Sequence, residues 1–431
     1  MATRVTPLEP PSTSWRAAAA IASRALAAAD RASAAAGIDG WLLILVVGLC
    51  AFGLVMVYSA SEALGFLWYG NPNYFFEHQL IGVVLGAVGF AVAARMDYHR
   101  LRAYAKPAMA LTVALLIAVL VPHLGSEHYG AQRWFQLGPL SVQPSAVAVV
   151  VAIIFFARWL DHRGAGVRSL GVVRDYIIVM TTLVGLILAE RDLGSSIVVA
   201  AVGFVMLALG GALKRHLFGL MALLGGAGYG LVMLVSYRAD RLAHFLNPCA
   251  DALGSGFQNC QALLALGSGG FGGVGLGNSV LKYEWLPEAH TDFIFAIIGE
   301  ELGLIGTVAV ITAFLFLAWR GIRASLRAPD RFGALLAGGI TAWICIEAFI
   351  NVGAVTGVIP TTGIPLPFIS YGGTSLATTL VGMGILCNIS AQGRRQGAMR
   401  RAGVDRWGRD WRASDPGAGR GTGSDRPRRR L

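Results

Sequence analysis

Apolar runs of about 18 to 20 residues recur along this chain, and each is long enough to cross a bilayer as a helix. Backbone N–H and C=O groups cannot stay unpaired in hydrocarbon, so such runs must be helical. A membrane barrel would show short segments of alternating polarity instead, and none are visible. Charge is scarce, at 14% of residues, where soluble domains carry about 25%. The 56 glycines suit close packing between membrane helices. The pattern predicts an all-α polytopic membrane protein with ten spans. They lie near 41–60, 76–94, 108–122, 142–158, 172–189, 193–211, 215–236, 291–318, 333–358 and 372–391. Residues 1–40 form an Ala-rich segment expected to be disordered. Residues 41–391 form the membrane domain, with a large outer loop at 237–290. Residues 392–431 form a basic tail expected to be disordered. The first run, Trp41 to Tyr58, reads as an uncleaved anchor.

The net charge of +11 would suit nucleic acid, but its distribution argues for a membrane and no nucleic acid. An even number of spans puts both ends on one side, and the positive-inside rule chooses the side. With both termini cytoplasmic, 30 of the 35 Lys and Arg residues face inward. Without the tail the division is still 18 against 5. The expected location is the cytoplasmic membrane, with the tail attracted to anionic lipid. Only Arg133, Arg191, Arg238, Arg241 and Lys282 remain outside. An anionic substrate handled there must use these cations, a metal or backbone N–H groups.

The outer loop is long for a compact protein, which points to function. Its glycines, from Gly254 to Gly277, follow no predicted strand and so match no dinucleotide or phosphate loop. They serve either close approach of backbone to a ligand or simple flexibility. Cys249 and Cys260 lie on the oxidising side and allow either a disulfide or two thiols. The loop ends in Leu286-Pro-Glu-Ala-His-Thr-Asp292, where the eighth span begins. Thr291 or Asp292 fits a helix cap. On a helical projection Asp292 also heads a stripe of small residues, Ala296, Gly299, Gly303 and Gly306. Such a stripe faces protein, and a partly desolvated carboxylate there suits a general base. Glu300 and Glu301 lie deeper and point apart, as structural hydrogen-bonding groups or a cavity lining. Glu347 and Asn351, four apart, are expected to share a buried polar contact. His123, His128 and His290 lack metal-site spacing.

Several segments together resemble the SEDS family (shape, elongation, division and sporulation). They are Met56–Ser61, Gly130–Phe135, Gln143-Pro-Ser145, Asp192-Leu-Gly194, Gly275–Ser279, Leu286–Gly306 and Asn351–Leu376. Ile297-Ile298-Gly299 and Val355-Thr356-Gly357 favour the FtsW-like branch over the RodA-like one. The resemblance implies a ten-span peptidoglycan glycosyltransferase that polymerises lipid II outside the cytoplasmic membrane, expected for septal synthesis. It implies a class B penicillin-binding protein and other division proteins as partners, and a divalent cation, Mg or Mn. The family's essential Asp falls on Asp292. On this reading the substrate-contacting set is the five outer cations with Trp134, Gln258, Glu288, His290, Thr291 and Ser370. The metal ligands are unassigned, with Asp292 a candidate.

The chain departs from the family at three places. Ala146 and Val149 stand where relatives have Glu and Lys, so that pair is absent as a unit. Glu190-Arg191 replaces Gln-Pro, and Glu347 replaces Gln. Arg191 is the candidate replacement cation. Two other functions fit the same pattern: a flippase for lipid-linked precursors, and a non-catalytic scaffold that activates a partner transpeptidase. The lack of an inverted repeat disfavours the flippase.

Overall fold

A computed structural model describes residues 39–413 apart from 122–124, 129–130, 138–139, 234–247, 252–253, 255 and 284. Seven helices come first: α1 (Gly40–Tyr69), α2 (Tyr74–Arg95), α3 (His99–Val119), α4 (Pro144–Arg163), α5 (Leu170–Ala189), α6 (Leu193–Leu209) and α7 (Lys214–Met233). A short helix, α8 (Phe257–Ser268), lies between α7 and the next long helix. Then follow α9 (Ile294–Leu326), α10 (Arg331–Val355) and α11 (Gly373–Ala413). Eight of the described helices are long and apolar enough to cross a membrane, while α6 is apolar but shorter, at 17 residues. The helix α11 runs on to Ala413, well past the expected span end at 391, so the first half of the expected disordered tail is helical.

Side-chain bonds tie the loops of one end together. Arg320 at the foot of α9 donates to both oxygens of Asp39 at 2.6 Å, and Ser390 of α11 adds a third bond at 2.6 Å. The Tyr98 hydroxyl donates to Asp330 at 2.6 Å, and Asp330 caps α10 by accepting from Gly333 N. Arg102 pairs with Asp161, and Arg331 donates to Gly210 O at 2.8 Å. This is the basic end, and every loop the charge rule assigns to the inside converges on it.

One element departs from the all-helical expectation. Between α3 and α4, at the opposite end, β1 (Ser126–His128), β2 (Ala131–Leu137) and β3 (Leu140–Val142) form an antiparallel sheet. Phe135 lies opposite Val142, and Trp134 opposite Ser126. The segment is too short and too polar for a span, and strand pairing satisfies its backbone instead. Thr374 at the head of α11 donates to Ser141 O, docking the sheet on the bundle.

The helix α9 is interrupted. Gly303 takes φ 64° and ψ −159°, nine residues past the helix start and so ~14 Å deep. Irregular backbone at that depth must be covered by protein. The cover is the glycine-rich stretch after α8. Val274 N and Gly275 N donate to Glu300 O and Glu301 O at 3.0 Å. Leu304 N and Ile305 N donate in turn to Gly270 O and Phe271 O at 2.9 and 3.3 Å. A Cβ on Gly269 would collide with Gly299 O, and one on Gly273 with Glu301 O. Gly269 and Gly273 therefore let one backbone lie directly on another.

The two acids at the interruption are structural, and they point apart as expected. Glu300 accepts from Ser279 Oγ and from Val280 N, the latter at 2.9 Å. Glu301 accepts from Ser59 Oγ of α1 at 2.6 and 2.8 Å and pairs with Lys282 at 3.6 Å. Cys249 and Cys260 are joined, with Cα atoms 5.0 Å apart, which anchors α8 to the turn before it.

Candidate functional site

The approach to α9 is a tight turn, not a helix. Glu288 adopts φ 55°, and its carbonyl accepts from Thr291 N and Phe293 N at 3.2 Å. Its carboxylate accepts from Thr291 Oγ1 at 2.7 Å. The helix begins only at Ile294, with Phe293 in the capping position and no side-chain cap bond. Neither Thr291 nor Asp292 is the cap. The small stripe faces protein, since Ala296, Gly299, Gly303 and Gly306 are all buried. Asp292 is not on that helix, however, and Gly303 breaks the line. Its carboxylate is half-buried at the end of the turn.

Three consecutive carbonyls of this turn are bonded from behind. Tyr371 N donates to His290 O at 2.9 Å, Ser370 Oγ to Thr291 O at 2.6 Å, and Asn351 Nδ2 to Asp292 O at 2.7 Å. Asn351 also donates to Ile364 O at 2.8 Å, so its partners are these carbonyls rather than Glu347. Between them Gly363, at φ 71°, comes up against the acid: a Cβ added there would stand 3.3 Å from Asp292 Oδ2. Behind Ser370 lies Gln79 of α2, 1% exposed, which donates to Ser370 O at 3.0 Å and accepts from Gly372 N at 3.1 Å.

The second wall is the start of α6. Asp192 caps that helix by accepting from Ser195 N at 3.0 Å. It also accepts from Gln143 and Ser145, at 3.0 and 2.9 Å, which joins two of the motifs that carry the family resemblance. Gly194 meets Thr362 and Ile364, so the same strap that touches Asp292 covers this wall. Arg133 of β2 donates from Nε to Glu190 O at 3.3 Å and from its terminal nitrogen to Arg191 O. The Glu190 side chain is 1% exposed, and both its oxygens lack a hydrogen-bond partner among the described residues. Burial, helped by the Asp192 carboxylate and opposed by Arg133, pushes the Glu190 carboxyl up to about 8. Val149 packs in the apolar core, 2% exposed.

The expected site residues thus fall into separate groups. Glu288, His290, Thr291 and Ser370 gather around Asp292, but mainly to hold one another. His290 is 5% exposed, packed 4.5 Å from the Phe75 ring and 5.5 Å from Tyr371. Burial, opposed by Glu288, holds its imidazole down at about 4, so it is neutral at neutral pH. Arg133, half-buried Trp134 and exposed Arg191 form a second group on the sheet side, with Arg191 at φ 61°. Lys282 and half-buried Gln258 belong to the α8 region beside α9. Lys282 is 2% exposed and donates to Gly277 O at 2.7 Å, so its charge faces Glu301 inside the protein. Arg238 and Arg241 lie outside the described residues. Sequence reasoning missed Gln79, Gly363 and the bonds of Asn351. Gln79 follows Glu77 and His78 at the head of an apolar run, so its pattern carried no separate signal. Among the described residues no group of three or more His, Cys, Asp or Glu is placed to hold a metal, so they form no protein cage for the expected cation.

The FtsW/RodA/SpoVE family of cell cycle proteins matches residues 40–395. A probable peptidoglycan glycosyltransferase FtsW from Geobacter metallireducens is 41% identical over 352 residues, 81% of this chain and 94% of its own length. Stage V sporulation protein E of Bacillus subtilis is 40% identical, over 83% of this chain and 98% of its own. Among solved structures, one described as structural coordination of polymerization and crosslinking by a peptidoglycan synthase complex has a TM-score of 0.68 and 28% identity. It covers 83% of this chain and 98% of that one. The rod shape determining protein RodA of Thermus thermophilus has a TM-score of 0.60 and 28% identity, covering 82% and 96%. The chain is a multi-pass membrane protein of the FtsW/RodA/SpoVE family.

Proposed function

We propose that this protein is a peptidoglycan glycosyltransferase that polymerises lipid II on the outer face of the cytoplasmic membrane, for septal synthesis. The observation that carries the reading is the Asp292 turn: a half-buried carboxylate whose backbone is fixed by three bonds, on the face opposite the basic end. Ten crossings with both termini cytoplasmic fit the alternation of helix ends and the charge division. A class B penicillin-binding protein, with other division proteins, is the partner we propose, since a structural neighbour is a peptidoglycan synthase complex.

Asp292 acts as general base on the acceptor 4-hydroxyl as that oxygen attacks the donor's anomeric carbon. The new C–O bond forms as the bond to the lipid pyrophosphate breaks. The proton passes to the Asp292 carboxylate, and the pyrophosphate leaves with the bonding pair. One displacement inverts the anomeric centre. Arg133, held against the Glu190 and Arg191 carbonyls, and Arg191 itself are the described cations that sit at the Asp-Leu-Gly wall. With Lys282 facing Glu301, these two carry the anion-binding role among the described outer cations. We assign the expected Mg²⁺ or Mn²⁺ to the donor's pyrophosphate. Magnesium is commonly held by one or two carboxylates plus substrate phosphates, without a cage.

The test gives purified protein, with its transpeptidase, lipid II and Mg²⁺ or Mn²⁺. Glycan polymer that vanishes in Asp292→Ala, and that EDTA stops reversibly, supports the enzyme. Lipid movement across vesicles without polymer would establish the flippase instead. Partner binding without either activity would leave a scaffold.

A further inference from the structure

The Asn351 side chain has a chemistry that fixes its orientation. Both of its recorded partners are backbone carbonyls, Asp292 O and Ile364 O, and carbonyls accept only from N–H. The amide must therefore present its NH₂ to both. Its Oδ1 is buried and has no partner among the described residues. The residue is 2% exposed and sits one turn from the end of α10. Asn351 thus pins together two chain segments that share no helix. One carries Asp292, and the other carries Gly363, whose backbone is the wall against Asp292 Oδ2.

Resting on the assignment of Asp292 as the base, we propose that Asn351 is the positioning residue of this site. It sets the distance between the Asp292 carboxylate and the 359–364 strap, and through it the direction in which the carboxylate faces the acceptor hydroxyl. The other bonds of the turn, from Tyr371 N and Ser370 Oγ, reach the carbonyls of His290 and Thr291. Of these three, the bond from Asn351 is the one that reaches the Asp292 carbonyl. Small displacements of a reacting group carry large rate penalties, about 10²-fold for ~1 Å. Removing the amide should therefore lower kcat more than it changes KM.

The experiment measures kcat, KM and thermal midpoint for lipid II polymerisation by the protein with its transpeptidase. The variants are Asn351→Ala, Asn351→Gln, Gly363→Ala and, at the basic end, Ser390→Ala, which removes a bond to Asp39 of comparable kind. Asn351→Ala should lose ~10- to 100-fold in kcat, with KM changed by less than about threefold. It should also shift the acid limb of the rate profile. Asn351→Gln, which keeps the NH₂, should recover part of that rate. Ser390→Ala should lower the midpoint and leave kcat and the acid limb in place. If Asn351→Ala does not fold, Gly363→Ala decides: a Cβ set against Asp292 Oδ2 should cut kcat likewise. The proposal is overturned if Asn351→Ala keeps wild-type kcat, or if its loss only tracks the midpoint as in Ser390→Ala. Wild-type kcat in a folded Gly363→Ala overturns it as well. Asp292→Ala runs alongside. If it still polymerises, the assignment of the base fails; if it is inactive while both other sites keep kcat, only the role of Asn351 fails.

Discussion

The two ends of the bundle use charge in opposite ways. At the basic end, acids meet cations or hydroxyls: Asp39 has Arg320, Arg394 and Ser390, Asp330 has Tyr98 and His99, and Asp161 has Arg102. At the far end Arg133 turns to carbonyls, Asp192 is satisfied by neutral donors, and the one ion pair among the described residues, Lys282 with Glu301, is buried inside the protein. Glu190 keeps a buried carboxyl with no partner among the described residues. Paired charges hold loops in register, while burial without a hydrogen-bond partner pushes the Glu190 carboxyl up to about 8. One end is held by several ion pairs, and at the other most acids are met by neutral groups.

Substitutions at each end should therefore separate rate from stability. The largest effect is expected at Asp292: Asp292→Ala should lower polymerisation by ~10²- to 10⁴-fold while the thermal midpoint holds. A fall in midpoint that accounts for the loss would erase the contrast between the ends. Next comes Arg320→Ala, which leaves Asp39 buried and short of its main cation. Breaking one half of a buried pair costs about 3–5 kcal/mol. The yield of folded protein should drop while kcat per folded molecule stays level; a kcat loss would show that the basic end reaches the chemistry.

Glu190→Gln gives a smaller and pH-dependent effect. With the folded carboxyl near 8, the native state keeps a proton that the unfolded chain gives up above about 4.5. Stability from this group is present at low pH and falls as pH rises through that window, by on the order of a few kcal/mol. The Gln variant should lose the slope and melt higher at pH 8, measured by thermal scans across pH. Identical slopes would mean that Glu190 is not held neutral. The smallest effect is expected for Arg191→Ala, a rise of about threefold in KM for lipid II from losing one exposed cation. Wild-type kinetics would leave Arg133 as the described cation of that wall.

The bundle was legible because hydrocarbon imposes so strict a rule on backbone. Apolar runs gave the helices, and the basic loops gave the end on which they converge. Asp292 was legible as a position, at the end of the long loop, but its surroundings were not. A helical projection presumes an unbroken helix, and this one starts at Ile294 and is interrupted at Gly303. Asn351 looked like a partner for Glu347 because four residues is one helical turn. Its actual partners are 59 and 13 residues away, where periodicity carries no information. The sheet escaped notice because strands of 3, 7 and 3 residues are too brief to read against neighbouring spans.

The glycine-rich stretch that covers the interruption in α9 leaves the ribosome before α9 does. When residues 294–305 emerge, the groups that will satisfy Glu300 O, Glu301 O, Leu304 N and Ile305 N have already been made. Reversing that order would strand four backbone groups in lipid, each at a cost of several kcal/mol. The first third of this helix therefore has its backbone completed only by docking on residues made before it. Synthesis of this region is ordered: residues 257–282 are made before the stretch of α9 whose backbone they complete.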